Sequence, residues 1–211
     1  MQKKRPTKKD LRGSANIWLD SAHQILIESG IESVKIMSLA NQLNVSRTSF
    51  YWHFTDREAL FDALILRWQK RNTGNLIART ELYAETITEA MLNLCDCWVD
   101  PQLFDARLDF AMRNWAQHSA KLKTIFEKTD AARINAIHAM FLRFGFSETL
   151  ADVRAHTVYF TQVGYISMMV EETIQTRIER VPAYVESFSG QAPTLTELAR
   201  FNSRHHAAGA N

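Results

Sequence analysis

Apolar residues recur at helical spacing along almost the whole chain, and no stretch alternates between apolar and polar residues as a half-buried strand does. Glycine and proline are sparse, and most of them fall between the periodic stretches. The pattern therefore predicts an all-α protein. Besides two short helices between residues 36 and 54, the predicted helices cover approximately residues 10–29, 56–78, 84–99, 101–117, 119–144, 148–178 and 182–189, with a last segment after Pro193.

The stretch from residue 36 to residue 60 carries two short helix patterns separated by a turn. Leu39 and Leu43 share the inward face of the first helix. Asn44 is expected to end that helix, because asparagine, after glycine, best tolerates the left-handed backbone that such a turn needs. Ser46 is expected to cap the second helix by accepting a backbone N–H that has no helical partner. Two helices in this arrangement are typical of a helix-turn-helix, which places its second helix in the DNA major groove.

The second of these helices has one apolar and one polar face. Phe50 and Phe54 lie four positions apart and are expected to point into the core. No acid interrupts the opposite face. The side chains expected on or near that outer face are Arg47, Thr48, Ser49, Tyr51, Trp52 and His53. An exposed surface of this composition needs a partner to cover it. Thr55 and Glu58 then form an expected capping box for the next helix.

The residues VSRTSFYWHFTDREAL, positions 45–60, resemble the signature of the tetracycline-repressor (TetR) family of transcriptional regulators. Asn44 and Arg57 depart from the family's usual glycine and lysine, and both substitutions are conservative for the turn and the charge. The resemblance implies an N-terminal three-helix DNA-binding domain, residues 1–60. A long helix would join it to a helical effector-binding and dimerisation domain, residues 61–211.

The same resemblance implies which side chains touch DNA. They are Lys35, Arg47, Thr48, Ser49, Tyr51, Trp52, His53 and Arg57. Arg47 and Thr48 are expected to read base edges, since an arginine at this position can pair with guanine O6 and N7. The Tyr-Trp-His run is expected to touch phosphate or thymine methyl groups. Arg57 and Lys35 are expected to bind phosphates, Arg57 with the help of the unpaired N–H groups at a helix start.

Positive charge is concentrated near the N-terminus. Residues 1–60 carry nine bases and six acids, whereas residues 61–211 carry 16 bases and 17 acids. Residues 1–12 alone hold six bases and one acid. This arm is interpreted either as a solubilising tail or, in view of the charge asymmetry, as a segment that lies along phosphates or enters a minor groove.

The second domain is expected to bind a small-molecule effector and to form a homodimer, as the family resemblance implies. A pocket of this kind is mostly apolar with a few inward polar groups. Its candidate lining residues are Trp98, Phe110, Trp115, His138, Phe141, Tyr159, Gln162 and Tyr165, although each of them is also explained by core packing. The dimer is expected to form through the helices at about 148–178 and 182–189. Its purpose would be to read a palindromic operator with two heads.

Other functional classes find little support in the sequence. A di-iron helical bundle needs paired Glu-x-x-His motifs, and none of the seven histidines has a glutamate three positions before it. Gly-rich phosphate loops and Gly-x-Ser-x-Gly are also missing from the sequence, and no cofactor or metal is expected. Cys95 and Cys97 are interpreted as reduced, largely buried thiols. With neither a membrane-length apolar run nor a signal peptide, the expected location is the cytoplasm. A helical bundle that binds another protein, or an enzyme without DNA binding, remains the alternative.

Overall fold

The computed structural model describes residues 15–206, and the basic arm and the predicted start of the first helix lie outside them. Within this range the chain is all-α, as predicted. The helices are α1 (Ala15–Ser29), α2 (Ile36–Leu43), α3 (Arg47–Phe50), α4 (Arg57–Trp68), α5 (Asn75–Glu81), α6 (Ile87–Val99), α7 (Ala106–Ala116), α8 (Ala120–Arg143), α9 (Glu148–Ser167), α10 (Ile174–Ser189) and α11 (Leu195–His206). A 3₁₀ turn (Ile31–Ser33) follows α1, and a π-helical turn (Gln69–Gly74) joins α4 to α5.

Helices α2 and α3 form the predicted helix-turn-helix. Asn44 ends α2 with φ 52° and ψ 45°, the left-handed conformation expected of it. The N–H of Val45 then donates to the carbonyl of Ala40 at 3.0 Å, which satisfies an orphan carbonyl of the helix end. Phe50 is fully buried and meets the edge of Trp18 from α1 at a ring distance of 5.2 Å. This aromatic contact fixes α3 against α1.

Two predicted helix caps are wrong in detail. Ser46 occupies the N-cap position of α3, but its hydroxyl accepts no capping hydrogen bond. Instead, the hydroxyl of Ser49 donates to the Ser46 carbonyl at 2.6 Å. At the start of α4 the cap is Asp56 and not Thr55, because the Asp56 carboxylate accepts the N–H of Ala59 at 2.8 Å. An ionised carboxylate is the stronger acceptor at a helix N-terminus.

The long connecting helix exists and runs further than predicted. Helix α4, the π-helical turn and α5 follow one another without a break from residue 57 to residue 81. The π-helical turn adds a residue to each turn of backbone, and such segments occur often at functional sites. Its side chains contact α7 and α8, so that the connecting helix is attached to the C-terminal half at this turn.

Three predicted boundaries in the C-terminal half are wrong. Helix α7 begins at residue 106 instead of 101, because the Asp100 carboxylate accepts the N–H of Gln102 and forms a turn, whereas Asp105 caps the helix. The predicted helix 148–178 stops at Ser167, and Met169 has φ 50°. Pro182 lies inside α10 instead of near the start of a new helix.

Other predicted boundaries are confirmed. Ser119 caps α8 by accepting the N–H of Leu122, and Gly145 follows that helix with φ 81°. Ser147 caps α9. Cys95 and Cys97 are buried and free, as expected. Burial raises the pKa of the Cys97 thiol to about 12, which keeps it protonated.

Buried apolar residues form two clusters. One joins α5, α6 and α8 to α9, α10 and α11. The other contains the helix-turn-helix, α1 and α4, and it continues into α7 and the first part of α8 through Leu108, Met112 and Phe126. The division at residue 60 stays a prediction, since the second cluster extends on both sides of it. Among residues 15–206 no helix combines the length and apolar character that crossing a bilayer requires.

Candidate nucleic-acid interface

The outer face of α3 and the turn after it carries four exposed side chains, which we call the recognition surface. They are Arg47, Thr48, Tyr51 and Trp52. Tyr51 is 46% exposed and Trp52 67% exposed, which is unusual for large aromatic residues. Burial of Phe50 and Phe54 on the opposite face holds them outward. The structure thus brings together four of the six side chains that the sequence pattern predicted on or near this face.

Arg47 and Tyr51 contact each other across one turn. Nη2 of Arg47 donates to the Tyr51 hydroxyl at 3.1 Å, and the guanidinium carbon lies 5.9 Å from the ring centroid. No carboxylate in the described part of the chain pairs with Arg47. Its charge and most of its donors therefore remain available to an external acceptor.

Two predicted contact residues lie behind this surface. Ser49 is 4% exposed, and its hydroxyl is occupied by the Ser46 carbonyl, so the expectation that it faces outward is wrong. The reason is that Ser49 precedes Phe50 on the buried edge of a single short turn. His53 is half-buried, and its Nε2 is shielded from solvent without a hydrogen-bond partner among the described residues.

Two further basic residues flank the recognition surface in sequence. Lys35 is exposed at the N-cap position of α2. Arg57 is the first residue of α4, and its guanidinium carbon lies 5.0 Å from the ring centroid of Phe61. Neither residue forms an ion pair within residues 15–206. Both positions are at helix N-termini, where unpaired N–H groups and the helix dipole attract anions.

Behind the helix-turn-helix, a buried polar network joins α4 to α7 and α8, and sequence analysis did not identify it. We call it the polar junction; its central residues are Trp68, Asn72, Asp105, Asp109, Arg113, Asp130, Arg133 and Tyr159. Asp109 and Arg133 are both 0% exposed and lie 3.0 Å apart. The Asp109 carboxylate also accepts the indole N–H of Trp68 at 2.8 Å.

Each carboxylate of the polar junction lies beside at least one basic side chain. Burial by itself would raise the pKa of the Asp109 carboxyl, but the guanidinium groups of Arg133 and Arg113 and the Trp68 hydrogen bond lower that pKa below its ordinary value. Burial also raises the pKa of Tyr159, whose hydroxyl donates to Asp130 at 2.6 Å and accepts from Arg133 at 3.1 Å. Asp109 is therefore ionised at neutral pH and Tyr159 is neutral.

The π-helical turn is held by the same network. Nε of Arg133 donates to the Thr73 hydroxyl at 2.9 Å. The amide of Asn72 donates to the Asp105 carbonyl at 3.0 Å and accepts the Asp105 N–H at 3.1 Å. His23 of α1 lies 3.2 Å from the Asp105 carboxylate. The junction thus connects α1, the connecting helix, α7 and α8 through directional contacts.

Only some of the predicted pocket residues line a common cavity. Trp98, Gln162 and Tyr165 line an apolar slot of about 50 Å³ between α6, α9 and α10. Gln162 and Tyr165 also line an adjoining crevice of about 480 Å³, together with Phe110 and with Ile27 of α1. The crevice is within the size range of small-molecule sites.

The other four predicted pocket residues lie elsewhere. Trp115 packs against Phe61 at a ring distance of 5.1 Å. Phe141 is fully buried in the C-terminal core. Tyr159 belongs to the polar junction, and His138 lies 3.4 Å from the exposed Glu148. These four corrections share one cause: residues with an apolar surrounding in sequence can face any of several helix neighbours.

The outer side of α9 is apolar and exposed. Leu150, Val153, Phe160 and Met168 repeat there at helical spacing, and Phe160 is 58% exposed. A Cβ placed on Gly164 would meet no atom within 4 Å, so no residue in the described part of the chain fills that space. Val158 and Tyr159, on the opposite side of the same helix, are buried within the chain.

Comparisons with known proteins agree with this architecture. Residues 19–64 match the family of bacterial regulatory proteins called the tetR family. No curated protein matches the chain in sequence. Among solved structures, a TerR/AcrR-family transcriptional regulator from Aquifex aeolicus VF5 is similar, with a TM-score of 0.67 and 14% identity over 83% of this chain and 99% of its own.

Two more structures have the same fold. GusR from Salmonella enterica has a TM-score of 0.65 and 16% identity, over 89% of this chain and 98% of its own. A transcriptional regulator from Rhodococcus sp. Rha1 has a TM-score of 0.59 and 18% identity, over 90% of this chain and 96% of its own. Residues 19–64 therefore match the N-terminal domain of the tetR family of bacterial regulatory proteins, and the fold of the chain is that of solved transcriptional regulators of this family.

Proposed function

We propose that this regulator is a cytoplasmic repressor that binds a palindromic operator as a homodimer and leaves it when a small molecule binds. The observation that carries the proposal is the recognition surface, an exposed basic and aromatic face that pairs with no carboxylate among residues 15–206. A face of this kind would be costly to leave uncovered and is complementary to a DNA groove.

Within this proposal the DNA contacts divide into two groups. Arg47 and Thr48 read base edges, and the Tyr51 and Trp52 rings contact thymine methyl groups or the sugar-phosphate edge. Lys35 and Arg57 bind phosphates at the two helix N-termini. Phosphate contacts set register and affinity, whereas base contacts supply specificity. Ser49 is left out, because its hydroxyl is already bonded, and the half-buried His53 is given no direct contact.

The homodimer is proposed to form through α9 and α10. The exposed apolar side of α9 supports this, and Gly164 would permit a close approach of two helices. Replacing Phe160 by glutamate should shift the protein toward the monomer in sedimentation velocity. Tyr83→Glu, which alters an exposed aromatic residue outside α9 and α10, is the matched control. If Phe160→Glu leaves the sedimentation coefficient unchanged, α9 is not the interface.

Release is proposed to pass through the connecting helix. The crevice is lined by α7, α9 and Ile27 of α1, so that a ligand there would contact the C-terminal half and one helix of the N-terminal half. The polar junction attaches the π-helical turn to the same α7. A ligand that favours a second position of this turn would lower DNA affinity, and DNA would lower ligand affinity reciprocally, by typically 1–3 kcal/mol.

Selection of bound fragments from random duplex DNA tests the DNA part of the proposal. Recovered fragments should share an inverted repeat. The affinity should fall steeply with salt, and a plot of the logarithm of the binding constant against the logarithm of the salt concentration should have a slope of about −0.9 per phosphate neutralised. A protein that recovers no duplex, or whose binding is indifferent to salt, would instead present the Tyr-Trp surface to another protein. In that case the DNA-reading role fails.

A further inference from the structure

A buried carboxylate lies between the slot and the crevice. Glu172 is 10% exposed at its side chain. Its Oε1 accepts the Tyr165 hydroxyl at 2.7 Å and lies 3.2 Å from Nε of Arg177, and its Oε2 accepts from Arg180 at 2.8 Å. Two guanidinium groups and one phenol therefore bind a single carboxylate, which is a strong, charge-assisted anion site.

The segment that carries Glu172 is short and largely exposed. It links α9 to α10 over residues 168–173. Met168 and Met169 are exposed. Met169 adopts φ 50°, which is an unfavourable conformation for a residue with a side chain. Glu171 is exposed and forms no ion pair with a described residue. Glu172 thus attaches this link to the rest of the protein through its charged contacts, and we call it the anchor.

Both cavities share the walls around this anchor. Glu172, Arg177, Tyr165 and Gln162 line the slot and the crevice alike. The rest of the slot is apolar, with Val158, Val181 and Phe188 among its walls. One donor in it is unused: the indole N–H of Trp98 is shielded from solvent and has no acceptor among the described residues. The site therefore offers apolar walls, an unused N–H and an occupied anion position.

We propose that this site binds an amphipathic monocarboxylate, an alkyl or aryl acid whose carboxylate replaces that of Glu172 on the two arginines. The apolar part of the acid occupies the slot and the crevice. The proposal identifies the class of effector and rests on the effector-binding function proposed above. Glu172 is then an internal competitor that keeps the arginines paired until the ligand arrives.

The charge balance favours a monoanion over a neutral or cationic ligand. If the link leaves without an anion in its place, Arg177 and Arg180 keep only neutral acceptors among the described residues, the Trp98 carbonyl and the Tyr165 hydroxyl, and the loss of the carboxylate is unfavourable in a partly apolar site. A ligand carboxylate would replace the negative charge of Glu172 with one negative charge of its own. The displaced Glu172 carboxylate reaches water, because the link is at the surface.

Displacement of the link would be transmitted to the DNA-binding end. Met169 and Val170 of the link line the crevice together with Ile27 of α1. Movement of the link therefore changes the shape of a crevice that α1 also lines, in addition to any direct contact of the ligand with Ile27. Both routes bias the position of α1 relative to α7.

Calorimetric titration with decanoate tests the assignment on the full chain. Glu172→Gln removes the competing charge and should bind decanoate about tenfold or more tightly than the wild type, because a larger fraction of the protein is competent to bind. Glu186→Gln, the same change at an exposed position of α10 that lines neither cavity, should bind as the wild type does. Decanol, which has no charge, should bind the wild type and Glu172→Gln alike.

Arg180→Gln in the Glu172→Gln background supplies a second reading. Arg180 is about half exposed, so its replacement is compatible with folding, which circular dichroism verifies. The double variant should lose most of the increase in decanoate affinity that Glu172→Gln shows over the wild type. The assignment is overturned if Glu172→Gln binds decanoate no more tightly than the wild type does. It is also overturned if the substitution raises the affinity for decanol as much as the affinity for decanoate.

Operator binding in the same samples separates this inference from the proposed function. Tighter decanoate binding without any change in operator affinity would support the carboxylate site and contradict ligand-controlled release. Release of the operator by other compounds, with no tighter binding of decanoate to Glu172→Gln, would support release and overturn the carboxylate site.

Discussion

The recognition surface and the polar junction are both rich in charged and aromatic side chains, but they use these groups in opposite ways. On the recognition surface Arg47 donates to the neighbouring Tyr51 and pairs with no carboxylate in the described part of the chain, and Trp52 lies open to solvent. In the polar junction Arg133 donates to Asp109, Tyr159 and Thr73 and is fully buried. The first surface is left for an external partner, whereas the second satisfies itself.

This difference separates the energetic roles of the two regions. Exposed groups without partners contribute little to folding, so their replacement affects binding. Buried groups with several charged partners contribute to folding, and removing one leaves the others unpaired. The predicted effects of substitutions should therefore divide cleanly between unfolding and DNA affinity.

The largest expected effect is that of Asp109→Ala. The substitution leaves the guanidinium of Arg133 buried without its carboxylate and the indole N–H of Trp68 without its acceptor. We expect the free energy of unfolding in urea to fall by about 3–5 kcal/mol. Asp62→Ala, which breaks the exposed pair with Lys121, should cost at most about 1 kcal/mol. Equal losses in the two variants would show that the polar junction does not stabilise the fold.

Acid should reproduce part of that effect in the wild type. The pKa of Asp109 is lower in the folded chain than its ordinary value, because the neighbouring guanidinium groups outweigh burial. Its stabilising contribution is thus present above the unfolded-state pKa and is lost as the pH falls through the folded-state pKa. Between about pH 5 and pH 2 the difference in unfolding free energy between the wild type and Asp109→Asn should shrink. A difference that stays constant over this range would contradict the assignment.

The contrast between the two regions also decides what the sequence reveals. The helix-turn-helix is local: Phe50 and Phe54 are one turn apart, and Asn44 marks the turn by its own backbone preference. In the polar junction Asp109 meets Arg133, which is 24 positions further on, and Trp68, which is 41 positions before it. A single sequence carries no signal for pairs so far apart, so the network was missed.

The errors in helix boundaries have the same origin. Met169 ends α9 with a positive φ, although methionine has no preference for that conformation, and the anchor at Glu172 holds the link in place. Ser119 and Ser147, in contrast, cap their helices through the next three residues, and the two helix starts that they set agree with the predicted ranges. Likewise Trp98, Gln162 and Tyr165 could be proposed as pocket residues, but only the packing of helices shows which apolar neighbours face the same cavity.

On the recognition surface, Arg47→Ala should change binding and leave folding intact. We expect operator affinity to fall by about 1–3 kcal/mol, with relaxed preference at one base position, and the free energy of unfolding to stay within about 0.5 kcal/mol. Arg57→Ala is the contrasting variant, since loss of a phosphate contact should weaken all sequences alike and reduce the salt slope. Equal loss of affinity for operator and random DNA in Arg47→Ala would exclude Arg47 as a base reader.

The smallest effect is expected at the turn between α2 and α3. Asn44 is exposed and has φ 52°, so its contribution lies in its backbone conformation. Alanine tolerates this conformation less well, and Asn44→Ala should lower the free energy of unfolding by about 1 kcal/mol. Asn44→Gly should be neutral or slightly stabilising, because glycine adopts a positive φ without steric cost. If Asn44→Gly and Asn44→Ala lower the free energy of unfolding equally, the asparagine side chain itself stabilises the turn. The helix-turn-helix would then depend on a polar side-chain contact, as the polar junction does.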